Sequence, residues 1–448
     1  MQEQHLKKEP IDFVISPIKK FIQNEISGSI VLFTCAIIAM VLANSPLSSY
    51  YESFWHQKVS IGFGKYILSQ DLHHWVNDGL MSIFFFVIGL EIKREVIGGE
   101  LSSIRKAALP FAAGLGGMLI PALLFFLLNK GTDGENGWGI PMATDIAFAL
   151  GLLALLGKNV PLSLKIFLTA LAIADDLGAV IVIAVFYTEQ IHWHVLGIGG
   201  IIFTSLIAIN IMGVRNSFVY ALLGIGGLWL AFLLSGVHAT LAGVLAAFTI
   251  PAKTKINQQY FSTKMSFLIN AFSQTKVSEN KLVTYEQLRL LDTMKKHVSQ
   301  SETPLQRLEH SMHKLVLYFI MPVFALANAG IAINSELLSY FTSPVTIGVM
   351  LGLIAGKFFG IVLFVKLIVK LKWASLPLNC NWLHIYGVAL LAGVGFTMSL
   401  FVTKLAYINE TLVLQAKLGV ISASIIAGIG GVLLLKLAIK KQLKASLN

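Results

Sequence analysis

Phe167-Leu-Thr-Ala-Leu-Ala-Ile-Ala-Asp-Asp-Leu-Gly-Ala-Val-Ile-Val-Ile-Ala184 is long enough and apolar enough to lie inside a bilayer, yet it carries two adjacent carboxylates, Asp175 and Asp176, near its middle. An aspartate at that depth costs about 2.5–3.5 kcal/mol on insertion scales. The two must therefore be paired, protonated or turned toward water. Adjacent like charges also repel, so the pair resists carrying both charges at once. Such a site accepts a small cation or protons, but not both together, and that competition is the minimal chemistry of an exchanger. The plain alternative, two buried acids that only hydrogen-bond neighbouring helices, is weakened by their adjacency and depth.

The rest of the chain agrees with a membrane setting. Of 448 residues, 56% are hydrophobic and only 13% charged, whereas a soluble domain carries roughly 25% charged residues. The formal charge of +11 does not indicate nucleic acid, because the basic residues sit in short patches between apolar runs. The two cysteines, Cys35 and Cys380, lie in or beside predicted spans, which argues against a disulfide framework or a metal site. Apolar runs predict an all-α polytopic protein with about twelve spans, near 27–43, 75–97, 107–129, 139–157, 163–187, 195–213, 218–234, 237–250, 313–331, 345–370, 382–405 and 412–437. Lysine and arginine concentrate in alternate connections, including Lys93, Arg94, Arg105, Lys106 and the stretch from Lys253 to Lys314. By the positive-inside rule both termini are then cytoplasmic. The resulting organisation is a cytoplasmic N-terminal segment at 1–26, eight spans in 27–250, a cytoplasmic loop at 251–312, four spans in 313–437 and a cytoplasmic tail at 438–448. Residues 55–70 alternate as a short external hairpin would. Residues 252–304 are the longest polar stretch and read as a mobile loop, with 265–272 as a candidate amphipathic helix on the membrane.

Further charges stand where apolar residues belong. Lys357, flanked by Gly356 and Gly360, lies near the middle of a span; a buried ammonium needs a partner, and the aspartate pair is the obvious one. Asp145 follows Thr144 in a stretch opened by Pro141, and Gly393 and Gly395 interrupt a span in the other half. Both features predict interrupted helices, whose freed backbone groups need internal partners. The third to fifth and the tenth to twelfth spans would form matching units of opposite orientation. At span ends, Glu91, Arg94 and Glu95 fall within one helical turn, as do Glu309, His310 and His313. These groups admit two readings, an ordinary solvated helix end or a cation funnel that titrates near neutral pH. His238 likewise reads as a satisfied helix-end histidine or as part of a pH response.

Several of these stretches are similar to one family. Phe84-Phe-Phe-Val-Ile-Gly-Leu-Glu-Ile-Lys-Arg-Glu95, Ala143-Thr-Asp-Ile-Ala-Phe-Ala-Leu-Gly151, Leu171-Ala-Ile-Ala-Asp-Asp-Leu-Gly-Ala179 and Ser235-Gly-Val-His-Ala-Thr-Leu-Ala-Gly243 resemble the bacterial NhaA sodium/proton antiporters. So do Arg307-Leu-Glu-His310, Phe324-Ala-Leu-Ala-Asn-Ala-Gly330, Gly356-Lys357 and Gly393-Val-Gly-Phe-Thr-Met-Ser399, in the family's order. The resemblance implies a twelve-helix fold in the bacterial inner membrane, with inverted repeats and two interrupted helices crossing at mid-membrane. The family is itself an instance of the rule that paired broken helices mark a midplane ion site. It further implies electrogenic exchange of internal Na⁺ or Li⁺ for external protons, with these transported ions and no cofactor. By the resemblance, Asp176 is the principal cation ligand and Asp175 its partner, matching also the acid that pairs with Lys357. Thr144 and Asp145 match the helix crossing, where Asp145 offsets positive helix ends. Glu91, Arg94, Glu95, His238, Glu309, His310 and His313 match positions linked to pH-dependent activation, and the hairpin near 55–70 matches an element of homodimer contact. The polar stretch 252–304 is longer than the corresponding loop of the best-known members.

Other classes fit less well. An intramembrane aspartyl protease needs its acids on separate spans, one within Gly-x-Gly-Asp, and a rhomboid-type protease needs Gly-x-Ser-Gly; neither motif is present. A proton-coupled organic-solute transporter would favour aromatic and hydrogen-bonding residues around a larger cavity. A cation channel would not need a titrating acid pair.

Overall fold

The computed structural model describes residues 26–63, 66–188, 191–275, 282–333 and 337–447. Almost all of the expected N-terminal segment, the tip of the 55–70 hairpin, residues 276–281 of the long polar stretch and the last residue of the tail lie outside the described residues.

The architecture is helical. Helix α1, Ser27–Ala43, bends by 116° into the short α2, Ser48–Trp55. Strands β1, Lys58–Phe63, and β2, Tyr66–Asp71, pair antiparallel from Lys58↔Asp71 to Phe63↔Tyr66. The Asp71 carboxylate accepts from the His74 amide at 2.7 Å and starts the next helix, which passes through a widened π turn, Trp75–Leu80, into α3, Met81–Gly98. Then come α4, Ile104–Asn129, a 3-10 run Glu135–Met142, α5, Ile146–Ala154, α6, Leu162–Phe186, α7, Trp193–Ile211, and α8, Ser217–Ser235. Gly236, at φ +82°, turns the chain into α9, Ala239–Thr249. Two polar helices follow, α10, Gln258–Gln274, and α11, Tyr285–Ser301. The second half comprises α12, Pro304–Asn328, α13, Pro344–Lys370, α14, Trp382–Leu391, α15, Phe396–Ala406, and α16, Glu410–Leu447.

Apolar side chains face outward as well as inward. Ile37, Leu119, Leu123, Ile181, Val185, Ile201, Leu363 and Ile425 are all exposed on helix surfaces; a lipid-facing wall has this composition and a water-facing one does not. Among the described residues, eight helices are long and apolar enough to cross a membrane, or up to ten if each bent pair counts as one span. The expected count of twelve includes α3, whose last turns carry Glu91, Lys93, Arg94 and Glu95, and α9, which has only 11 residues.

Two expectations about the polar stretch change. Most of it is helical rather than loop, because Asn257 caps α10 by accepting from the Tyr260 amide, and Thr284 with Gln287 forms a capping box on α11. The following helix begins at Pro304, not near 313: Thr303 accepts from the Gln306 amide and Pro304 takes the first helical position, where its missing N–H goes unneeded. Glu309 therefore sits inside a helix rather than at its start.

At the centre, α4 and α13 touch backbone to backbone. A methyl group on Gly116 would collide with the Gly360 carbonyl, and one on Gly360 with the Gly116 carbonyl. This glycine contact draws the two helices together one turn from Lys357.

Candidate functional site: a buried acid pair beside two interrupted helices

Helix α14 ends at Leu391 and α15 starts at Phe396, with a bend of 45° between them. The other interruption separates the 3-10 run from α5. The two breaks supply some of each other's missing partners, while Ser424 Oγ accepts from the Phe396 amide. The Asp145 amide donates to the Val394 carbonyl at 2.7 Å. The Asp145 carboxylate caps α5 by accepting from the Phe148 amide at 2.9 Å, and its other oxygen accepts from the Thr397 amide at 3.1 Å and hydroxyl at 2.5 Å. One buried carboxylate thus caps the N-termini of two helices, where the partial positive ends of both dipoles meet. Gly393 and Gly395 are buried in the second break; a methyl on Gly393 would strike the Leu353 carbonyl.

Thr144, Asp175, Asp176 and Lys357 are all 0% exposed. Lys357 Nζ lies 2.5 Å from Asp175 Oδ2 and donates also to Thr144 Oγ1 at 2.8 Å. The Thr144 hydroxyl has Asp175 Oδ2 at 2.7 Å and the Ala392 carbonyl at 2.9 Å, and its single hydrogen serves one of them at a time. Asp176 is different. Successive helical residues point about 100° apart, and among the described residues neither oxygen of Asp176 has a hydrogen-bond partner, nor has Asp175 Oδ1. The site thus holds two carboxylates, one ammonium and three carboxylate oxygens without a donor. Such a group asks for a cation or a proton. Among the described residues there is no cluster of three or more His, Cys, Asp or Glu able to hold a resident metal ion.

The polar residues at the other end of α3 form a second cluster. Arg94 reaches Glu309 at 2.5 Å and Glu95 at 2.8 Å, and His313 Nδ1 lies 3.5 Å from Glu91. Lys93 donates to the carbonyls of Phe248 and Ile250, at the C-terminus of α9. His310 is exposed and outside these pairs. His238 Nε2 is 2.8 Å from the Tyr187 carbonyl; a carbonyl only accepts, so Nε2 carries a hydrogen in either charge state of the ring.

The sequence did not single out a part-buried line in which the buried Asn328 donates to Asn77 at 2.9 Å and Asn77 meets His73 at 3.0 Å. An asparagine inside each apolar run was the available signal. Nor did it single out Tyr187 and Tyr407, which look like ordinary helix-end aromatics.

Fold and site together define an α-helical multispan membrane protein with an ionisable centre among its helices. More narrowly, the chain belongs to the family described as Na⁺/H⁺ antiporter 1, whose model it matches over residues 19–435. It is 46% identical over 423 residues to the protein named Na(+)/H(+) antiporter NhaA 1 of Saccharophagus degradans, a match covering 94% of this chain and 91% of that one. It is 45% identical over 433 residues to Na(+)/H(+) antiporter NhaA of Oleidesulfovibrio alaskensis, covering 96% of each chain. To the protein of the same name from Wolinella succinogenes it is 48% identical over 409 residues, covering 91% of this chain and 90% of the other.

Proposed function

We propose that this chain is a secondary active antiporter that exchanges cytoplasmic Na⁺ or Li⁺ for external protons across a bacterial inner membrane. The observation that carries this reading is Asp176, a fully buried carboxylate with no hydrogen-bond partner on either oxygen among the described residues, next to the Asp175–Lys357 pair. Deprotonated, Asp175 and Asp176 accept one cation from the cytoplasm; the loaded site then faces outward and releases it, and protons neutralise the site for the return. With two protons returned per cation the cycle moves net charge, so the membrane potential drives it. The remaining family features belong to the same reading: twelve spans with α3 and α9 included, interrupted helices crossing at mid-membrane, both termini cytoplasmic, and pH control through Glu91, Arg94, Glu95, His238, Glu309, His310 and His313. Homodimer contact through the hairpin near 55–70 is supported by Ile61 and Ile67, which are exposed there.

The test is proton movement in everted vesicles from cells lacking their own antiporters. Na⁺ and Li⁺, but not K⁺, should dissipate the proton gradient, and Asp176→Asn should abolish the response. Near-normal exchange by Asp176→Asn would remove Asp176 from the site. No response from mildly acidic to alkaline pH, in well-expressed protein, would favour an organic-solute transporter with the acids as its proton site.

A further inference from the structure

The 3-10 run Glu135–Met142 ends two residues before Thr144, and two phenols hold it. Tyr187, just beyond α6, donates its hydroxyl to the Asn136 carbonyl at 2.8 Å and accepts from the Gly139 amide at 3.3 Å. Tyr407, just beyond α15, donates to the Gly134 carbonyl at 2.7 Å. A third anchor comes from α15, where the Ser399 hydroxyl donates to the Ile140 carbonyl at 2.8 Å. The glycines are part of the device: a methyl on Gly137 would collide with the Tyr407 hydroxyl, and one on Gly139 with the Tyr187 hydroxyl. Trp138, between those glycines, stacks on the Tyr187 ring with centroids 6.3 Å apart. The backbone of Tyr187 is tied as well, because its carbonyl accepts from His238. A phenol keeps its proton up to about pH 10, so both stay donors across the physiological range.

A 3-10 run of eight residues is long for a conformation with poor hydrogen-bond geometry. External bonds must hold it, and these four do. Its far end delivers Thr144 to Asp175 and Asp145 to the junction of the two breaks. We propose that Tyr187 and Tyr407 are positioning residues for the ion site: through the run 135–142 they set where Thr144 and Asp145 stand, and so how the acid pair receives a cation. This inference rests on the antiport reading for its transport consequence, but the clamp itself is independent of it.

Tyr187→Phe, Tyr407→Phe and the double variant keep the rings and remove the hydroxyls; Gly139→Ala keeps the hydroxyl and displaces it. Two measurements are made on full-length protein. In vesicle exchange, each single Tyr→Phe variant should raise the apparent KM for Na⁺ about three- to tenfold, the worth of one hydrogen bond, with Gly139→Ala in the same direction. In amide hydrogen exchange in detergent, the same variants should speed exchange across 134–149 while α10 and α11 are unchanged. Lower protein yield with an unchanged KM and unchanged protection across 134–149 would mean that the phenols only support folding, and would overturn the proposal. A wild-type protein without Na⁺-dependent exchange sinks the antiport reading instead; faster amide exchange at 143–149 in the variants then still supports positioning, and its absence overturns it.

Discussion

Lys357 and Asp176 sit in the same buried site and have opposite energetic roles. The Lys357 ammonium is satisfied by Asp175 and Thr144, so its removal strands a buried carboxylate. Lys357→Ala should destabilise the protein by about 3–5 kcal/mol, read as a lower thermal midpoint in detergent, and replacing Asp175 by Leu in the same chain should recover part of the loss. Asp176→Asn takes away a charge that has no donor among the described residues, so its midpoint should stay level or rise while exchange is lost. A large drop in the midpoint of Asp176→Asn would show that Asp176 has a stabilising partner. At this scale much was legible in the sequence, since aspartates and a lysine inside apolar runs announce themselves through their cost. Which aspartate takes the lysine was not derivable from the residues. It depends on how α4 and α13 pack around α6, and one position of rotation separates a paired carboxylate from an unpaired one.

Among the elements, the long polar stretch was the least well read. Lys, Gln, Ser and Thr predominate there, and composition alone suggested a loop. The capping signals at Asn257 and at Thr284 with Gln287 were in the sequence, as was Thr303-Pro304 at the start of α12. Each helix does carry an apolar face, Phe261, Met265, Leu268 and Phe272 on α10 and Leu288, Leu291, Met294 and Val298 on α11. The polar composition around these stripes outweighed them, and α10 buries only Leu268 completely and α11 no residue. Thr284→Ala should cost α11 about 1 kcal/mol: amide exchange should accelerate within 285–301 and nowhere else, with Na⁺-dependent exchange unchanged. Altered transport in this variant would tie the helical pair to the proposed ion site. The interrupted helices were anticipated from Pro141, Gly393 and Gly395, whereas the tyrosines that brace one of them were not. Tyr407 and Gly134 lie 273 residues apart, and no local pattern joins them.

For the molecule as a whole, the proposed orientation rests on where the basic residues fall. The hairpin lies between α2 and α3, while α10 and α11 lie between α9 and α12. In the proposed topology these features are on opposite sides of the membrane. A membrane-impermeant thiol reagent should then label Lys58→Cys from outside intact cells, and Lys296→Cys only in everted vesicles, both made in a chain whose native cysteines are replaced. Labelling of both from the same side would overturn the topology. The multispan character itself was plain from composition, whereas the count is a matter of the two elements, α3 and α9, whose charge or length sets them apart.

The junction at Asp145 has a mechanical meaning. Its carboxylate caps two helices at once, and across the breaks the Asp145 amide meets the Val394 carbonyl and the Thr144 hydroxyl the Ala392 carbonyl. Pulling the breaks apart would bare a buried carboxylate together with several peptide groups, each costing about 1–3 kcal/mol. The junction is therefore a weld and not a hinge, and whatever swings during a transport cycle must swing around it. Spin labels at the exposed Leu155, closing α5, and at the partly exposed Leu405 on α15 should keep their separation whether Na⁺ or protons are supplied; a separation that changes between the two conditions would show that the weld opens.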